Sequence, residues 1–167
     1  LGVGGTLDVN DGVEVAVYRK FVTILKNDNT LKRIVHVWRT WEDVPGQHPD
    51  FGIAQCPPGK VAVRITPTNG PDEWLFPGSF RGVIFLQIDF LIRGSHVNDP
   101  LNFWWLLKRG FYSTTYATLQ TNVQALTAVG AYTGQPLFSQ LQYQGEDPSF
   151  WSCRGLAKIE TQLNIGQ

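Results

Sequence analysis

The chain lacks methionine altogether, holds two cysteines, and balances fourteen Lys and Arg side chains against fourteen Asp and Glu, so it carries no net charge. Each absence excludes something. A sequence opening at Leu1 with no methionine is expected of a mature product or an excised domain whose start codon lies elsewhere. The opening LGVGGTLDVN has neither a basic region nor an apolar core, so it does not read as a secretory signal. No apolar run approaches the roughly 18 residues of a membrane-spanning helix. Cys56 and Cys153 are too few for a disulfide framework and neither sits in a CxxC pair; one bridge or two buried thiols both fit, and a domain that relies on its core favours the thiols. Without a positive field the chain gives no strong nucleic-acid signal, and without self-repulsion it is free to associate. Charged residues make up 17%, against 43% apolar and 13% aromatic, which excludes disorder and leaves much of the surface uncharged. A chain of 167 residues is one ordinary domain that buries about 70% of its unfolded surface.

The strongest positive signal is GVIFLQIDFLI, Gly82 to Ile92. Ile84, Leu86, Ile88, Phe90 and Ile92 repeat every second residue while Gln87 and Asp89 interrupt the other side, the pattern of a half-buried strand. The same rhythm is read in Val13 to Leu25, where Val13, Val15 and Val17 alternate with Glu14 and Ala16. Asn27-Asp28-Asn29-Thr30 then turns the chain, and Leu31 to Trp41 is expected to return antiparallel as a hairpin partner. Lys60 to Thr66, Phe103 to Leu107, Phe111 to Leu119, Leu137 to Tyr143 and Leu156 to Ile165 complete the expected strands. Loops rich in Pro and Gly occupy Glu42 to Pro58 and Pro67 to Ser79. Leu119, Val123, Leu126 and Val129 recur at helical spacing, with Thr118 or Thr121 as N-cap and Gly130 beyond the end. About eight short strands and one short helix predict an all-β fold, an antiparallel β-sandwich, with a flexible Gly-rich arm over residues 1–12 and one domain over 13–167.

Chemistry is sparse. Ser95, His96 and Asp99 are the parts of an activated nucleophile, yet close sequence neighbours rarely supply that geometry, and a polar loop is the ordinary reading. His48, Asp50 and Cys56 fall short of the three or four convergent ligands that a metal needs. Phosphate loops are absent, since GVGG lacks a preceding strand and a GK[ST] or GxGxxG ending. No catalytic residue, cofactor or metal is therefore expected. Aromatics are the one enrichment that reads as functional. As strand neighbours Trp104 and Trp105 would face opposite sides, leaving one ring for a second apolar surface. Trp41, Trp74, Trp105, Gln87 and Asp89 are the candidate interface residues, and Trp41, Trp74 and Trp105 with Asp72 and Gln87 are also the set that would stack on and orient a sugar.

GVIFLQIDFLIRG, followed by Pro100, resembles the long closing strand of the jelly-roll shell domain in capsid proteins of small icosahedral RNA viruses. The chain lacks the basic arm common to such proteins and continues well past this strand. The resemblance implies a jelly-roll β-sandwich, a non-enzymatic role as a capsid subunit, location in a virion, and partners that are copies of itself or other capsid subunits, with a host receptor or glycan as a further ligand. A carbohydrate-binding β-sandwich module is the alternative.

Overall fold

The computed structural model describes residues 12–40, 56–93, 96–147 and 150–164. Its centre is a pair of fifteen-residue antiparallel strands, β4 (Ser79–Arg93) and β7 (Phe150–Asn164), matched along their whole length from Ser79↔Asn164 to Arg93↔Phe150. β2 (Val61–Asn69) pairs antiparallel with the other side of β4, from Val61↔Ile92 to Asn69↔Ile84. Beyond that last pair, β3 (Glu73–Phe76) continues along β4 through Trp74↔Phe80 and Phe76↔Ser79. The turn between them is Pro77-Gly78; Gly78 has φ +81°, the value that a Pro-Gly type II turn requires. β1 (Val35–Thr40) runs parallel to β2. β5 (Leu137–Phe138) and β6 (Gln142–Asp147) line the far side of β7.

Four helices accompany the sheet. In α1 (Val13–Asn27) the buried residues are Val17, Tyr18, Phe21, Val22 and Leu25, a stripe at helical spacing, while Val15 ahead of them is 39% exposed. α2 (Asn29–Ile34) follows at once, capped by Asp28, whose carboxylate accepts the Leu31 N–H at 3.0 Å. α3 (Asp99–Tyr112) has Pro100 in its first turn and buries Phe103, Trp104, Leu107, Gly110 and Phe111. α4 (Tyr116–Ala128) is capped by the Thr115 hydroxyl, which accepts the Thr118 N–H at 3.3 Å. These apolar stripes meet Val61, Val63, Ile65, Ile84, Leu86, Ile88, Phe90, Cys153, Ala157 and Ile159 in one core. Every one of those β4 residues is even-numbered, so the helices cover one face of the sheet.

The all-β sandwich is therefore corrected. The structure is one mixed seven-stranded sheet, with a parallel β1–β2 pair, and helices take the place of a second sheet. Three expected strands are helices: Val13 to Leu25 is α1, Phe103 to Leu107 lies in α3, and Phe111 to Leu119 spans the end of α3 and the start of α4. Their branched and aromatic residues favour strands locally, but burial at helical spacing overrides that preference. Leu31 to Trp41 divides between α2 and β1, and β1 returns parallel rather than as a hairpin. The loop expected over Pro67 to Ser79 contains the end of β2 and all of β3. α4 keeps the expected helix, with its cap moved to Thr115 and Gly130 just beyond its end at φ +112°. The expected arm falls, except for Gly12, outside the described residues, as does most of the loop over Glu42 to Pro58.

Candidate functional site

On the sheet face turned away from the helices, the register aligns Arg64 of β2, Asp89 of β4 and Arg154 of β7 in one row. The Asp89 side chain is 5% exposed. Its Oδ2 accepts from Arg64 at 3.2 Å and from the Gln87 amide at 2.8 Å, and its Oδ1 accepts from the Arg154 Nε at 2.7 Å. A buried carboxylate costs several kcal/mol unless compensated, and three donors from three strand positions compensate it here. Asp89 thus ties three strands in register and is too enclosed to meet a partner. Gln87 is half-buried and directed at Asp89. Beside this row, Cys56, Ala62 and Leu91 form a small apolar cluster with Val37 and Phe150.

The candidate tryptophans do not share one place. Trp41 lies outside the described residues. Trp105 is on α3, 54% exposed, with the Arg109 guanidinium 5.0 Å from its ring centroid. Its neighbour Trp104 is buried against Phe90 and Phe138 because consecutive helical residues point about 100° apart, not because a strand alternates. Trp74 is on β3, and so is Phe76; they are 63% and 57% exposed.

The described residues hold only part of the sequence's nucleophile and metal candidates. Ser95, His48 and Asp50 lie outside the described residues. The Asp99 carboxylate accepts the backbone N–H of His96 at 2.8 Å, and the His96 Nδ1 accepts the Asn98 N–H at 3.2 Å, which is a turn leading into α3. Cys56 and Cys153 are both free and buried. Burial pushes the Cys153 thiol up to about 11, and burial also raises Cys56 despite the opposing Arg93 charge. Such thiols are poor nucleophiles at neutral pH. Among the described residues no group of three His, Cys, Asp or Glu is arranged to hold a metal, and no helix is long and apolar enough to cross a membrane.

What does assemble is an apolar recess and a finger beside it. The finger is the β3–β4 hairpin, with Trp74 and Phe76 near its turn and Phe80 paired across from Trp74. Pairing of Ser79 to Gly82 with Thr161 to Asn164 backs it with a third strand. The recess has a volume of about 240 Å³ and is lined by Glu14, Val15 and Tyr18 of α1, Pro67, Thr68 and Asn69 of β2, and Ile84 of β4. α1 is held over this place by the Tyr18 hydroxyl, which donates to the Ile65 carbonyl at 3.3 Å, and by Asn69, whose amide donates to the Glu14 carboxylate at 3.3 Å. Among the described residues the β1–β2 pairing runs to Thr40↔Ile65, and the recess lies beyond that pair, where Pro67 removes a backbone donor from β2.

Sequence reasoning identified Trp74 but missed Phe76 and the recess. EWLFPGSF does hold the signal for the finger: two aromatics two residues apart, a Pro-Gly turn and a third aromatic. The recess has no local signal, because its walls come from three separate elements. No family model matches this chain, and no curated protein matches it.

Proposed function

We propose that this chain is a structural subunit that associates with copies of itself, as do the shell proteins its central strand resembles. The observation that carries the reading is the finger. It holds two aromatic rings more than half exposed on a strand paired with β4, one on each side of a register shift, not on a pliable loop. Aromatic side chains of this kind are concentrated at the centres of protein interfaces, and burying one fully recovers about 1.5 to 3 kcal/mol. Zero net charge removes the long-range repulsion that would keep copies apart. The polar groups offer less: Asp89 is saturated by donors and Asp99 is spent on a backbone N–H. A sugar platform built from Trp41, Trp74 and Trp105 has weaker support, since Trp74 and Trp105 stand on different elements and the Trp105 ring carries Arg109.

Light scattering coupled to size exclusion, run over a concentration series and paired with electron microscopy, tests the reading. A mass that rises with concentration to a defined multiple of 18.7 kDa, with particles of one shape, is the expected result. A monomer mass at every concentration overturns it.

A further inference from the structure

We infer that the contact between copies is heterologous: the Trp74 and Phe76 finger of one chain seats in the Val15, Tyr18, Pro67 and Ile84 recess of the next. The inference rests on the self-association reading and specifies its geometry.

Size and chemistry match. A cavity of about 150 Å³ walled by aliphatic side chains takes a benzene ring. The recess here offers about 240 Å³ with mostly apolar walls, room for one aromatic side chain and part of a second. Its polar rim, Glu14, Thr68 and Asn69, stands where an indole N–H from Trp74 would find an acceptor; Trp rings favour contacts that are apolar at one end and polar at the other.

The finger cannot reach the recess of its own chain. Trp74 is locked opposite Phe80, Glu73 opposite Arg81, and the finger is continuous with the strands that wall the recess. Folding the tip back onto its own base would break those pairs and the β4–β7 pairs behind them. The two complementary surfaces are therefore distinct patches on one rigid body, and each copy presents one of each. Such a contact repeats head to tail, closing into a ring when the rotation between neighbours divides a full turn and running on as a filament when it does not. Trp and Phe bury on the order of 150 to 250 Å² each, so one seated finger falls short of a standard interface of about 1,600 Å². One seated finger is then a weak contact that holds two chains only at high concentration, and closure, in which every subunit is held twice, strengthens it.

Complementation between two variants tests this. Trp74→Ser with Phe76→Ser blunts the finger and leaves the recess; Val15→Trp fills the recess from the helix side and leaves the finger. Far-UV circular dichroism and a urea melt establish that each is folded, and Thr68→Trp, which fills the recess from the strand side, serves if Val15→Trp is not. Each variant alone is expected to scatter as a monomer. At the highest concentration of the series their equimolar mixture is expected to form a dimer and no larger species, because only one intact finger and one intact recess remain per pair. A blunted finger with the mass of the wild type, an unaffected recess-filled chain, or a mixture that stays monomeric overturns the finger-and-recess contact while leaving self-association through another surface standing. A wild-type monomer at every concentration removes both readings at once.

Discussion

Gly155→Ala is expected to destabilise the protein, although local reasoning says the opposite. Gly155 lies in β7 opposite Ile88 and has no positive φ, so an alanine there meets no backbone strain. Replacing glycine in a strand interior ordinarily gains about 0.5 to 1 kcal/mol through the unfolded chain. The obstacle is Trp104. A methyl group on Gly155 would run into the outer edge of the indole, meeting Cη2 closest, then Cζ2 at 2.6 Å and Cζ3 at 2.8 Å. The ring has little room to retreat: Phe90 stacks on it at 6.5 Å and 15°, and Phe138 meets it edge-on at 5.6 Å. Overpacking of this sort costs about 1 to 3 kcal/mol, more than the glycine gain, so a net loss of about 1 to 2 kcal/mol follows. For a chain of this size that is a fall of roughly 2 to 8 °C in Tm. Urea melts followed by circular dichroism measure it as a lower midpoint with unchanged slope. Trp104→Phe removes the atoms that clash, so its cost should shrink by about 1 kcal/mol or more in the Gly155→Ala background relative to wild type. A Gly155→Ala protein as stable as wild type, or more so, would refute the argument.

Three further outcomes follow from the same sheet. Ile88→Ala, at a fully buried position between helices and strands, should cost about 2 to 5 kcal/mol, and Gln87→Ala about 1 kcal/mol or less; equal small losses in urea melts would contradict the two-faced strand. Asp89→Ala should cost about 1 to 3 kcal/mol, below the value for a fully buried pair because Arg64 and Arg154 are 26% and 38% exposed, and a loss no larger than that of Gln87→Ala would show that the row does not tie the strands. Cys153 should make the fold sensitive to alkali: above its ordinary value of 9.0 the unfolded thiol ionises while the native one, held to about 11, stays protonated, so its share of stability, intact below pH 9, is lost between pH 9 and 11. Cys153→Ala should flatten that part of the stability profile, and an unchanged slope in that range would exclude the mechanism.

The strands legible in the sequence were those whose two faces differ. β4, β2 and β7 alternate because one face meets helices and the other does not, and a period of two survives in the residue order. α1 and α3 were hidden for opposite reasons. In α1 the first five residues, VEVAV, happen to alternate, and only Phe21, Val22 and Leu25 restore the helical stripe. In α3 the stripe of Phe103, Trp104, Leu107 and Phe111 is present, but Lys108-Arg109 inside it reads as a turn between strands. The break at Asn27 to Thr30 was visible, yet a turn signal does not say whether helices or strands flank it; here Asp28 joins two helices. The finger was half legible, through Trp74, and the recess was not, because no local pattern records that α1 passes over Asn69 and Ile84.

The pairing of β4 with β7 also bears on how the chain reaches this structure. β7 is an interior strand, flanked by β4 on one side and β5 and β6 on the other, although it comes late in the sequence. Until it is in place, β4 exposes one whole edge of a fifteen-residue, largely apolar strand, and the core lacks Cys153, Ala157 and Ile159. Contacts so distant along the chain form slowly, and an unpaired edge of that length is an invitation to the wrong partner. A nascent chain stopped before Phe150 is thus not a smaller version of the fold but an aggregation hazard, and β7, made after the elements it joins, is the strand that makes them safe.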